Sequence, residues 1–179
     1  MTHLLEVYDV TGVYGPVVTV EDVRLAVVSH LKLWTPAYIA EVGRQKDVTL
    51  DGFRGYATES GDVFPVCLVA CAGTEGDPEK HGDGTITMSW TVAAAAVVAG
   101  NTRDEATVRA GYYGAAIRAA ILQHPSLGDF AVDVSWGGES IEEVAWDITL
   151  SIVACVTRFT VVVAGIVNTR LGPADPPPD

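Results

Sequence analysis

Three groups of side chains in this 179-residue chain are of types that could do chemistry. In the stretch EKHGDG, Glu79, His81 and Asp83 alternate, and two carboxylates with an imidazole at that spacing could meet a divalent cation. Glu139, Glu142, Glu143 and Asp147 follow one another with no basic residue between them, which suits a bound divalent ion or a repulsive surface. His124 closes the alanine-rich run AIRAAILQHPSLG, where it could be a base, a ligand or the place where a helix stops.

Each group also has a plainer explanation. A Gly- and Asp-bearing loop is ordinarily a solvated turn, and an acidic run a solvated loop. His124 falls in the last turn of a helical pattern, where the dipole favours a cation, and Pro125 forbids continuation. The other histidines, His3, His30 and His81, have no second histidine at ligand spacing. The chain contains no GxSxG elbow, GxxxxGK[ST] loop, GxGxxG turn or HExxH helix. Cys67 and Cys71 lie four apart, on one face of a strand; with Cys155 they make an odd count without a CxxC pair, which predicts buried free thiols. Trp34, Trp90, Trp136 and Trp146 sit on or beside apolar patterns and read as core or interface. No enzyme, cofactor or metal is expected.

Composition points the same way. Eleven basic residues against 23 acidic ones give a formal charge of −12, which opposes duplex binding while allowing DNA to pass without sticking. The length suits one domain with a core of its own. MTHLLEVYDV lacks the basic start and apolar centre of a signal peptide, so no export is expected. ITLSIVACVTRFTVVVAGIV, 148–167, is long enough to span a bilayer, but Arg158 lies mid-segment and β-branched residues dominate, so sheet is favoured over a membrane helix.

The elements that must position these residues follow from periodicity. Residues 1–18 read as an arm. Thr19 with Asp22 makes a capping box, and Val20, Val23, Val27, Leu31 and Trp34 recur at helical spacing. Thr35-Pro36 predicts a kink or a restart, with Tyr38, Ile39 and Val42 carrying a second piece to Gly43. Residues 47–62 read as a connecting loop. VFPVCLVACAG, 63–73, is apolar on both alternating faces, as in a strand covered on two sides, and GTEGDPEKHGDG reads as an acidic loop. TITMSWTVAAAAVVAG, 85–100, alternates strictly: Ile86, Met88, Trp90, Val92, Ala94, Ala96 and Val98 share a face, and a hairpin with the preceding strand is expected. Thr102 and Glu105 cap a helix to about Gln123, with Ala106, Ala110, Tyr113, Ile117 and Ile121 inward. Small neighbours at Gly111, Gly114, Ala115, Ala116 and Ala119 let it lie close to a sheet. FAVDVSW alternates Phe130, Val132, Val134 and Trp136. In the last strand the apolar residues switch from even positions (Ile148, Leu150, Ile152, Val156) to odd ones (Phe159, Val161, Val163, Val167), which predicts a bulge or bend near Thr157–Arg158. Unbroken, that strand would reach about 65 Å. Residues 168–179 form a proline-rich tail, expected to be disordered in isolation. The expected fold is α+β in the order α-β-β-α-β-β, with two helices on one face of a mostly antiparallel sheet and a single domain over 19–167.

Taken in sequence, VRLAVVSHLKLWTPAYIAEVGR, FPVCLVACAGT, GDGTITMSWTVAAAAVVAG and TRDEATVRAGYYGAAIRAAILQHPSLG resemble the tail terminator proteins of long-tailed bacteriophages, most of all those of phages infecting actinobacteria. The resemblance spans roughly 20–167 and lies as much in element order as in strings such as A-IR-A-LQHPSLG. It implies an α+β fold and a homo-oligomeric ring, usually of six, at the head-proximal end of the tail tube. Such a ring stops tube growth, contacts the tube protein and head-closure or connector proteins, and lets genomic DNA pass through its lumen. It would belong to the virion, after assembly in the host cytoplasm, and it carries no catalytic residues. Head-closure and tail-completion proteins are the neighbouring alternatives. Candidate contacts between subunits or with partners are Glu75, Asp77, Glu79, His81, Asp83, Glu139, Glu142, Glu143, Arg158 and Arg170.

Overall fold

A computed structural model of the chain describes residues 18–57, 63–81, 86–146 and 150–164. The expected arm before residue 18 and the expected tail from 168 lie outside the described residues. Helix α1, Val20–Lys46, begins where the Thr19 side chain accepts from the Asp22 N–H at 3.2 Å and the Asp22 carboxylate accepts from the Thr19 N–H at 2.8 Å. This is the expected capping box, which satisfies two otherwise orphaned donors. Val23, Val27, Leu31 and Ile39 are buried at helical spacing, whereas Val20 is exposed.

Of the kink or restart expected at Thr35-Pro36, the restart does not occur. The helix runs on through Pro36 to Lys46. Thr35 is not a new cap: its buried hydroxyl donates back to the Leu31 carbonyl at 2.7 Å, inside the helix, and accepts from Tyr56 Oη. Pro36 stands on the exposed face, so its ring projects away from the packed stripe. The helix ends at Asp47, whose φ of 54° puts it in the left-handed region and whose N–H donates to the Gly43 carbonyl.

Within the stretch expected to be loop, Tyr56–Ala57 form a short strand, β1, parallel to Cys67 and Leu68 of β2 (Val66–Lys80). Strand β2 is longer than its apolar run suggests. It pairs antiparallel with β3, Ile86–Gly100, out to Lys80 opposite Ile86, so the acidic stretch up to Lys80 is extended and not a loop. Glycine, proline and acidic residues disfavour strand in isolation, but pairing with the regular β3 overrides them, with register shifts between Cys71 and Gly73 and between Glu75 and Glu79. On β3, Ile86, Trp90, Val92, Ala94, Ala96 and Val98 are buried, on the expected face.

Helix α2, Arg103–Gln123, is capped by Thr102, which accepts from the Glu105 N–H at 3.2 Å. Its expected inward stripe from Ala106 to Ile121 is fully buried. Close approach to the sheet is real at Gly114, where a Cβ would run into Cys155 Sγ. The chain then turns through Leu127, Gly128 and Asp129, all at positive φ, into β4, Asp133–Trp146. The alternation expected through FAVDVSW holds only in part: Val134 is buried, but Val132 precedes the strand and is 63% exposed.

Strand β5, Ser151–Ala164, pairs with β3 without any register shift, so the bulge expected at Thr157–Arg158 is absent from it. Its odd residues from Ser151 to Val163 are buried along the whole strand. The apolar even residues Ile152, Ala154 and Val156 belong to a second cluster, on the face away from the helices, with Val66, Leu68, Ala95 and Val97. Two apolar faces, not a parity switch, produce the pattern. The bulge sits one strand over, in β4, where Trp136 and Gly138 oppose Phe159 and Arg158 and Gly137 is the extra residue.

The sheet order is β1-β2-β3-β5-β4, antiparallel apart from β1. Both helices pack on one face and share the main core with that face. The fold is α+β, in the expected order α-β-β-α-β-β once the two-residue β1 is set aside.

Candidate functional site

Extension of β2 carries the stretch read as an acidic loop, as far as Lys80, along a strand. The Glu75 carboxylate accepts from the hydroxyls of Thr91 on β3 (3.2 Å) and, one strand further, Thr160 on β5 (3.1 Å). Glu79 stands opposite Thr87, and His81 Nε2 bonds to Thr87 Oγ1 at 2.7 Å. Asp77 is exposed on the same strand. Asp83 and Arg170 lie outside the described residues. Among the described residues, no three His, Cys, Asp or Glu side chains converge closely enough to hold a metal ion.

The acidic group on β4 is not a bare cluster. Arg118 of α2 lies 3.0 Å from Glu139, Arg158 of β5 2.7 Å from Glu142, and Arg103 of α2 3.8 Å from Glu143. Arg158 also donates to Ser140, and its bond to Glu142 holds that carboxyl below the usual carboxylate range. Such partly exposed pairs contribute about 0–1 kcal/mol each, so they orient β4 on its neighbours more than they stabilise it. A divalent ion would have to displace three guanidinium groups. Asp147 lies outside the described residues.

Nor are the cysteines poised as nucleophiles. All three are free. Burial pushes the Cys67 thiol up to about 12; burial, with the Glu139 carboxylate second, does the same to Cys155. Both stay protonated, and only the thiolate attacks.

His124 caps α2, as expected of a helix end, but its ring goes to α1. It stacks on Trp34 at 3.7 Å between centroids and 15° between planes. Tyr38 Oη donates to Gln123 Oε1 at 2.7 Å, which leaves it to accept from His124 Nε2–H at 3.1 Å. His30, one turn before Trp34, is buried and donates from Nε2 to the Ala120 carbonyl at 3.0 Å. The sequence signal for this clasp was available: His30, Trp34 and Tyr38 recur every four residues, on one helix face. Trp90 is core and Trp34 interface between helices, whereas Trp136 is partly exposed beneath the Arg118 guanidinium.

An open hollow of about 550 Å³ lies between Val48–Leu50 and the start of α2. In its lining Glu105 is engaged: it accepts from the Asn101 N–H and lies 3.8 Å from Arg109. Among the described residues no helix is long and apolar enough to cross a membrane, and Ser151–Ala164, the described core of the segment that could be mistaken for a span, is strand β5. No protein-family model matches the chain, and no curated protein matches it.

Proposed function

We propose that the chain is a structural virion protein that forms a homo-oligomeric ring at the head-proximal end of a phage tail tube. The ring ends tube polymerisation and presents the surface on which head-closure proteins dock. One observation carries the reading: the outer edge of β4, and that of β2 beyond the two residues covered by β1, meet no described strand, an arrangement hazardous in a lone molecule and useful between copies. The resemblance to tail terminators supplies the setting, and the α+β fold is the one it implies. A charge of −12 suits a channel through which duplex slides without being gripped. Acidic residues on the sheet, from Glu75 to Glu79 and from Glu139 to Glu143, then serve as contact or lumen residues and not as a catalytic set. No cofactor is assigned.

The test is electron microscopy of phage particles assembled without the protein. Tails of uncontrolled length are expected. Tails of normal length with unattached heads would move the chain to a head-closure or tail-completion role. Wild-type particles in its absence, or tight uptake of a divalent ion with loss of function in His81→Ala, would overturn the structural reading.

A further inference from the structure

The two edges of the sheet are not alike. Strand β1 covers β2 only at Cys67 and Leu68, so the outer side of β2 from Val69 to Lys80 meets no described strand. At the other side β4 bonds to β5 alone. Val69–Thr74 (VACAGT) carries no charge, whereas β4 carries Glu139, Glu142 and Glu143 between its two bulges. Further along β2, Pro78 offers no donor and the register shift between Glu75 and Glu79 distorts the edge, two devices that close an edge to partners. The one-residue shift between Cys71 and Gly73 bends the first stretch but leaves its backbone donors in place and adds no charge, so the open windows are Val69–Thr74 on one side and Gly138–Glu143 on the other.

Strand direction fixes how they can meet. Successive neighbours from β2 through β3 and β5 to β4 are antiparallel, so β4 runs opposite to β2. Set beside β2 of another copy, β4 continues the alternation, with the helices of both copies on the same side. We infer that the β4 edge of one copy pairs with the β2 edge of the next, making one sheet continuous from copy to copy. Pairing of β4 with β4 would set the acidic row against itself, which is unfavourable for directly opposed like charges. Antiparallel pairing of β2 with β2 through the same window would drive Glu75 and the residues after it onto the copy's β1, which already occupies the edge at Cys67 and Leu68. Joining β4 to β2 avoids both. Such a contact is heterologous and either closes into a ring or runs on as a filament. The inference rests on the self-association in the proposed function, but not on its place in a virion.

Hydrogen exchange on the full chain, dilute and concentrated, with sedimentation reporting association, tests it. In the associated form the amides within Val69–Thr74 and Gly138–Glu143 exchange at least tenfold more slowly than in the dilute chain. Association with either window exchanging at its dilute rate overturns the edge pairing and leaves the ring reading standing. A chain that stays monomeric at every concentration overturns both. A charge test complements it. Ala70 is exposed on β2, on the helix-free face that Ser140 and Glu142 share on β4. Ala70→Asp weakens association at least fivefold, whereas Ala70→Lys leaves it unchanged or tightens it, with equal melting temperatures for the two monomers. Equal effects of the two substitutions on association overturn the inference.

Discussion

Gly111 and Gly114 lie one turn apart on α2 in opposite surroundings. A Cβ at Gly114 would run into Cys155 Sγ, whereas at Gly111 it meets nothing within 4 Å. Gly114→Ala therefore forces helix and sheet apart and costs about 1–3 kcal/mol, as overpacking does. Gly111→Ala adds only helix propensity and stabilises by about 0.5–1 kcal/mol. Urea midpoints moving in opposite directions check this; equal shifts would mean that the helix does not lie on Cys155. His30 supplies the pH dependence. Burial, opposed by its bond to the Ala120 carbonyl, lowers its pKa, and His124 nearby adds to the lowering. The unfolded chain thus takes up this proton first as pH falls. Stability from a neutral His30 is complete above about pH 6.5 and is lost below it, by at most about 1.4 kcal/mol per pH unit. The urea midpoint should drop between pH 7 and 5, and His30→Gln should flatten that drop. An unchanged slope in the variant would place the titration elsewhere. Small residues along α2 made the close approach legible in the sequence; the histidine clasp was legible only as a four-residue recurrence whose partner, His124, came from another helix.

Where a local rule met a stronger neighbour, the elements departed from expectation. Pro36 should break a helix, yet α1 has a buried stripe on both sides of it, from Val23 to Gly43, and packing on both sides keeps the helix continuous. The proline still removes one donor, the one that would reach the Lys32 carbonyl, and crowds the turn before it. Because its ring is exposed, Pro36→Ala creates no cavity and should stabilise the chain by about 1–3 kcal/mol, read from thermal and urea unfolding. A destabilised variant would show that the proline sets a bend on which the packing of α1 depends. The β5 pattern misled for a different reason. Alternation locates one buried face, and this strand has two, so even and odd apolar residues are both correct and no bulge is needed. The true bulge, at Gly137, was marked only by the pair Gly137-Gly138, because a bulge is a property of two strands in register and a single strand's sequence cannot show it. Likewise the acidic end of β2 takes its conformation from β3, and the arginines that neutralise the β4 carboxylates stand on α2 and β5.

For the molecule as a whole, the question is how a chain of formal charge −12 associates with itself. Every copy added to an assembly repels those already there, through a field that reaches about 20 Å at 20 mM salt and about 4 Å at 500 mM. The pairing inferred between Val69–Thr74 and the β4 edge consists of backbone hydrogen bonds, which salt does not screen appreciably. The three arginines nearest the β4 edge are engaged within their own copy. Attraction is therefore insensitive to salt and repulsion is not. Self-association should tighten several-fold between 20 and 500 mM sodium chloride, as measured by sedimentation equilibrium, while duplex DNA remains unbound throughout. The opposite trend, weaker association at high salt, would mean that Arg103, Arg118 or Arg158 exchanges its own glutamate for one on the neighbouring copy, and that the contact is held by ion pairs and not by a shared sheet.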